Sequence, residues 1–182
     1  MQGLLADRVA MVTGAGRGLG RAHALALARA GARVLVNDLD AAAAAEVCGE
    51  ITRLGGDALP DSANVTDPPA VGRMVAAALR RWGQVDILVN NAGILRDRTF
   101  AKLDLTDFRL VMEVHLMGSV ECTRAVWPHM KERGYGRVVL TTSSSGLYGN
   151  FGQTAYSSAK MALVGLMQPL ALEGERYGIR VN

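Results

Sequence analysis

Tyr156 and Lys160 stand four residues apart in SSSGLYGNFGQTAYSSAK, which runs from Ser143 to Lys160. On a helix that spacing puts both side chains on one face, where they can act on one substrate. A phenol titrates at about 10, too high for a base near neutrality. An ammonium beside it favours the phenolate, which is the perturbation general acid–base work needs. Ser143, expected at the end of a strand, is placed to hold a substrate oxygen. The plainer alternative is a surface tyrosine and a solvated lysine. No G-x-S-x-G nucleophile elbow occurs in the serine run, so a hydrolase triad is not indicated.

A second group of residues suits a dinucleotide. TGAGRGLG, Thr13 to Gly20, follows an apolar strand and opens a helix. Gly14 permits a tight turn, and Gly18 and Gly20 permit close backbone approach at a helix N-terminus, where free N–H groups attract a pyrophosphate. Gly14, Arg17, Gly18, Leu19 and Gly20 are therefore candidate cofactor contacts. The spacing is G-x-x-x-G-x-G, and a ligand-free packing turn is the alternative. Asp38 closes the strand RVLVND, where its carboxylate would bond both ribose hydroxyls and repel a 2′-phosphate. That favours NAD over NADP, although Arg17 offers an opposing positive charge. NNAG, Asn90 to Gly93, follows a further strand, and Asn91, Ala92 and Gly93 are candidates for the same cleft. The amides would serve equally well as ordinary turn residues. His115, inside the apolar VMEVHLMGS, fits either a backbone-bonded core histidine or a member of the site.

These residues need elements to position them. Strands are expected at 8–13, 33–38, 58–64, 85–90, 137–143 and 179–182. Helices are expected at 19–30, 41–54, 67–82 and 154–177, with one long helix from near Thr106 to Arg133. Asp67 is placed as an N-cap, Gly31 as a C-cap, and Pro169 as a site of bending. Strands alternating with helices this long indicate an α/β fold, a doubly wound, mostly parallel sheet of Rossmann type that ends at its sixth strand.

The bulk properties exclude several classes. The 182 residues are 49% hydrophobic and 20% charged, sufficient for one domain with a substantial core. A net charge of +3 with no run of three basic residues gives no argument for nucleic acid. No apolar window is long enough for a membrane span, and MQGLLADR has no signal-peptide pattern. Cys48 and Cys122 are isolated and His23, His115 and His129 lack metal-ligand spacing, so the expectation is no metal and a reducing, cytoplasmic setting.

With TGAGRGLG, Asp38, NNAG, Ser143 and YSSAK in hand, the chain resembles the short-chain dehydrogenase/reductase family over essentially its whole length. NNAGILRDRTFAKL, VHLMGS, WPHM and SSSGLYGNFGQTAYSSAK are similar in particular to the 3-hydroxyacyl-CoA dehydrogenase domain of peroxisomal type-2 multifunctional enzymes and their bacterial relatives. The resemblance implies NAD-dependent hydride transfer with a secondary alcohol or ketone, best a 3-hydroxyacyl thioester. A steroid or other bulky alcohol, or a non-catalytic nucleotide-binding fragment, stands as the alternative. It implies that Tyr156 is the general acid or base, that Lys160 binds the nicotinamide ribose and tunes Tyr156, and that Ser143 bonds the substrate oxygen. Asn64 and Val65 in ANVTD take the adenine-contacting position, with Asn where the family usually has Asp. His115 stands where most members carry Asn in a proton relay. Pairing of the two long helices into a homodimer or homotetramer is also implied. So is a single domain over residues 1–182, without the substrate lid and seventh strand of longer members.

Overall fold

A computed structural model describes residues 3–182. Six strands form one sheet: β1 (Val9–Val12), β2 (Arg33–Asn37), β3 (Ala58–Asp61), β4 (Ile87–Asn90), β5 (Gly136–Leu140) and β6 (Ile179–Val181). Their order is β3-β2-β1-β4-β5-β6 and every pairing is parallel. Strand order reverses between β1 and β4, which opens a crevice at the carboxyl ends of the strands.

The helices are α1 (Gly18–Arg29), α2 (Ala41–Arg53), α3 (Pro68–Trp82), α4 (Leu105–Met112), α5 (Gly118–Arg133), α6 (Ser144–Tyr148) and α7 (Thr154–Glu175). Alternation along β1 sends Val9 and Met11 to one face and Ala10 and Val12 to the other. The first face packs against α3, α5 and α7 through Met74, Leu88, Met130 and Leu163. The second packs against α1 and α2 through Val34, Val36, Leu25 and Ile51. A third, small cluster of Val111, Ala155 and Ala159 joins α4 to α7.

Several expectations are revised. The long helix is interrupted: a π-helical turn, Glu113–Met117, separates α4 from α5 and holds His115 at its centre. Apolar spacing in this region reads as one continuous helix because a single inserted residue barely disturbs it; such turns recur at functional sites. β5 ends at Leu140, so Ser143 lies beyond the strand, at the N-cap of the unforeseen helix α6. Asp67 holds the N-cap position of α3 but makes no side-chain capping bond, and Pro68 and Pro69 remove the first donors it would serve. α7 runs unbroken through Pro169, and α5 through Pro128.

Candidate active site

The glycine turn is built around Thr13 and Asn91. Gly14 has φ +61, the left-handed region that favours glycine. A side chain at Gly20 would collide with the Gly14 carbonyl and the Asn91 amide, so α1 packs directly on the turn. Asn91 Nδ2 donates to the carbonyls of Thr13 and Gly14, both at 3.0 Å. The backbone N–H groups of Asn91 and Ala92 donate to Thr13 Oγ1, both at 3.1 Å. Two loops following β1 and β4 are thus locked together across the switch point. Thr13 was not singled out from the sequence; its position between a buried strand and Gly14 was the available signal.

Asp38 is held by backbone: Gly16 N–H donates to its Oδ2 at 2.9 Å and Asp40 N–H to its Oδ1 at 3.0 Å. Gly16, also missed, must be small because a Cβ there would meet the Asp38 carboxylate at 2.8 Å. Arg17, the positive charge set against Asp38, pairs instead with Asp40 at 3.2 Å. Asn64 turns its Oδ1 back on its own loop, accepting from Thr66 N–H and Oγ1–H at 3.1 and 3.0 Å.

A cleft of about 330 Å³ runs along these residues. Gly14, Arg17, Asp38, Asn64, Val65 and Asn91 to Gly93 line it, joined by Leu39, Ile94 and Val114. Of the other candidates, Gly18 lies at the head of α1 with open space where its side chain would be, and Leu19 projects outward. The first turn of α1 has neither a side-chain cap nor an acidic residue, so its N–H groups have no competing anion. Open space above Gly18, uncapped donors and a fixed carboxylate at Asp38 together fit a dinucleotide.

His115, which backs the Gly93–Ile94 end of this lining, meets Tyr156 and Lys160. The His115 ring is buried and meets the Tyr156 ring edge-on, centroids 5.4 Å apart at 86°. His115 Nε2 lies 3.0 Å from Ile94 N–H and 2.8 Å from the Ile94 carbonyl, accepting from one or donating to the other according to tautomer. Its Nδ1 is buried and has no hydrogen-bond partner among the described residues. The ring fills the place a side chain at residue 93 would need, which is why Gly93 is there. Burial, opposed by the Ile94 contact and assisted by the Lys160 charge, lowers His115 from 6.5 to about 4.

That shift has a testable sign. The unfolded chain protonates at this histidine below pH 6.5 and the folded one only near 4, so stability is complete above 6.5 and is lost as pH falls through that window. Between pH 7 and 4.5 the loss is about 2–3 kcal/mol. His115→Asn keeps a backbone partner without titrating and removes this part of the acid slope. Urea unfolding of both proteins at the two pH values checks it; parallel losses would contradict it.

Lys160 is 4% exposed, its ammonium 5.5 Å from the Tyr156 ring centroid and donating to the Thr141 carbonyl at 2.5 Å. Burial lowers it from 10.5 to about 8. Thr142 Oγ1 donates to the Lys160 carbonyl at 2.7 Å, and a side chain at Gly146 would press on Lys160 itself, so α6 and its N-cap Ser143 are seated against this helix. Ser143 Oγ accepts from Ser145 N–H at 3.2 Å, which leaves its own proton to donate elsewhere. Among the described residues there is no cluster of metal-ligating side chains, and no helix is long and apolar enough to cross a membrane.

The sequence model of the family described as short chain dehydrogenase matches residues 8–182. The chain belongs to the short-chain dehydrogenase family. It is 50% identical to a peroxisomal multifunctional enzyme type 2 of Drosophila melanogaster over 96% of its own length, which is 30% of that protein's. It is 40% identical to a 3-oxoacyl-[acyl-carrier-protein] reductase of Synechocystis over 98% of its length and 72% of the reductase. A 7α-hydroxysteroid dehydrogenase solved with NADH and a 7-oxo bile acid superposes with a TM-score of 0.94 at 35% identity, covering 98% of this chain and 69% of that one. The chain therefore spans less than a third of the Drosophila relative's length.

Proposed function

We propose that this short-chain dehydrogenase is an NAD-dependent oxidoreductase acting between a secondary alcohol and a ketone, with a 3-hydroxyacyl thioester as substrate. The observation that carries the reading is the meeting of Tyr156, Lys160 and His115, with His115 bonded to Ile94, a residue that lines the same cleft as the fixed Asp38 carboxylate. NAD, when bound, accepts or supplies the hydride at its nicotinamide ring. Gly18 gives it backbone access, Gly14 and Gly20 let α1 pack close on the turn beneath, Asp38 takes the adenine-side ribose, and Asn64 and Val65 flank the adenine.

Tyr156 takes the alcohol proton at its phenol oxygen, or gives it to the ketone oxygen. Lys160 stabilises negative charge developing on that oxygen and donates to the nicotinamide-side ribose. Ser143 donates to the substrate oxygen and fixes its distance from Tyr156. His115 stays neutral under working conditions and acts by position, holding Ile94 with one nitrogen and the Tyr156 ring with its edge. The name of the Synechocystis relative carries a 3-oxoacyl group, which supports an acyl substrate. Similarity to the 7α-hydroxysteroid dehydrogenase supports a second reading, a steroid or other bulky alcohol. Oxidation of 3-hydroxybutyryl and longer thioesters, run beside hydroxysteroids with NAD, separates the two. Faster steroid turnover would overturn the first reading, and binding of NAD with no turnover of either would support a non-catalytic nucleotide-binding module.

The partner we propose for the outer helices is a second copy of this chain. Val120, Trp127, Pro128, Leu166 and Leu170 line an apolar groove of about 320 Å³ on α5 and α7. Leu116 and Trp127 also pack in part against the core beneath. A two-fold axis across the groove would bury it on both copies at once. Sedimentation at tens of micromolar, about the range for such contacts, should give a dimer or tetramer. A pure monomer would contradict the pairing. Cys48 and Cys122 are buried free thiols, which supports a reducing compartment such as the cytoplasm.

A further inference from the structure

The segment after β4 and the segment before α7 are joined at the mouth of the site. Arg98 N–H donates to the Gly152 carbonyl at 2.9 Å within an isolated parallel bridge between Arg98 and Gln153. Beside it Gln153 Nε2 donates to Asp97 Oδ2 at 2.9 Å, and Asn150 Nδ2 donates to Gln153 Oε1 at 3.1 Å. Gln153 occupies the N-cap position of α7, yet its side chain makes no capping bond to that helix. The first turn of α7, which contains Tyr156, is tied down across the site instead.

Each side of this clasp has a reason to move without it. The segment leading into α7 is bounded by Gly149 and Gly152, both at φ +76, and an uncapped first turn frays readily. On the other side Thr13 and His115 anchor the chain as far as Ile94, and beyond it the half-exposed Arg96–Asp107 pair at 3.4 Å adds little. Beneath the clasp Ile94, Leu103 and Phe108 pack on Ala155 and Ala159, so a displacement on one side is passed to the other.

We propose that Gln153 is a positioning residue: through Asp97 it sets the spacing between the Tyr156 phenol and the Asn91–Gly93 loop across the cofactor cleft. This deepens the dehydrogenase reading and rests on it. The bond is exposed, so it contributes little to global stability, and its loss shows in turnover instead. A misplacement of about an ångström at a reacting group costs on the order of 10²-fold, and a partial loosening less.

The test is a set of substitutions on the whole chain. Gln153→Ala should lower kcat about tenfold with NAD affinity and Tm nearly unchanged, because only the reacting geometry is relaxed. Asp97→Ala should match it, and the double variant should be no worse than either single, as expected for two ends of one contact. Asp97→Asn keeps an acceptor oxygen and should restore most of the rate. Gln153→Glu places a second carboxylate against Asp97, and such pairs hold a proton more tightly. The ratio of its kcat to the parent's should therefore rise as pH falls from about 8 to 5, where a shared proton rebuilds the bond. Amide hydrogen exchange at residues 94–103 should quicken in Gln153→Ala, a readout independent of turnover. A kcat within about twofold of the parent, additive effects of the two alanines, a pH-independent Gln153→Glu ratio or unchanged exchange would each overturn the proposal. If the parent oxidises no alcohol offered, the dehydrogenase reading fails, and the exchange measurement still decides whether the clasp holds the two segments.

Discussion

Tyr156→Phe should lower turnover by about 10²–10⁴-fold and leave NAD affinity almost unchanged, the range expected when a general acid–base group is removed. The substitution deletes one oxygen and keeps the ring, so the edge-on contact with His115 and the packing of α7 survive. What is lost is the atom that exchanges a proton in the transition state, an interaction made only there; kcat and kcat/KM therefore fall together. Lys160→Ala behaves differently. It removes a buried ammonium that donates to the Thr141 carbonyl and is assigned to the nicotinamide ribose, so it weakens cofactor binding as well as turnover. Stopped-flow kinetics with cofactor titration separates the two patterns. A Tyr156→Phe enzyme retaining more than about a tenth of the parent rate, far above the loss expected for an acid–base group, would assign the proton transfer elsewhere.

NAD is expected to bind more tightly than NADP by about ten- to a hundred-fold, the equivalent of roughly 1–3 kcal/mol. Asp38 cannot swing away from a 2′-phosphate without breaking two backbone bonds, to Gly16 and Asp40 N–H. Arg17 is the residue that would rescue NADP, but it stands 75% exposed, where a pair with a phosphate, like its pair with Asp40, is weak and screened. Asp38→Ser removes the charge and should bring the two affinities together. Fluorescence titration of both cofactors against parent and variant measures this directly. Equal affinities in the parent, or tighter NADP binding lost on Arg17→Ala, would reverse the assignment.

Much of this architecture was legible because its signals are local. RVAMVT and RVLVND are short apolar runs between turn residues, and their alternation with long helices leaves few options besides a parallel sheet. Tyr156 and Lys160 were legible because four residues on a helix is a fixed geometry. What escaped depends on contacts between distant segments. The π-turn at Glu113–Met117 carries His115 onto the Ile94 backbone, 21 residues away, and helical periodicity has no mark for that contact. Ser143 falls at a helix cap and not in the strand because β5 ends at Leu140, the last residue in register with β4, the register with β6 having ended at Val138. Gly16 read as an ordinary turn residue until Asp38 was seen to occupy the space beside it. Arg17 reads as a positive charge near the ribose; it does line the cleft, and its pairing with Asp40 has no mark in the sequence.

If the cleft brings an alcohol carbon and a nicotinamide ring together under Tyr156, hydride passes from one to the other without exchange with solvent. The purified chain incubated with NAD and a 3-hydroxyacyl thioester carrying deuterium at C3 should give reduced cofactor absorbing at about 340 nm, with the deuterium on nicotinamide C4 and the proton released to solvent through Tyr156. NAD bound in the cleft with no deuterium transferred, from this alcohol or from a hydroxysteroid, would contradict it.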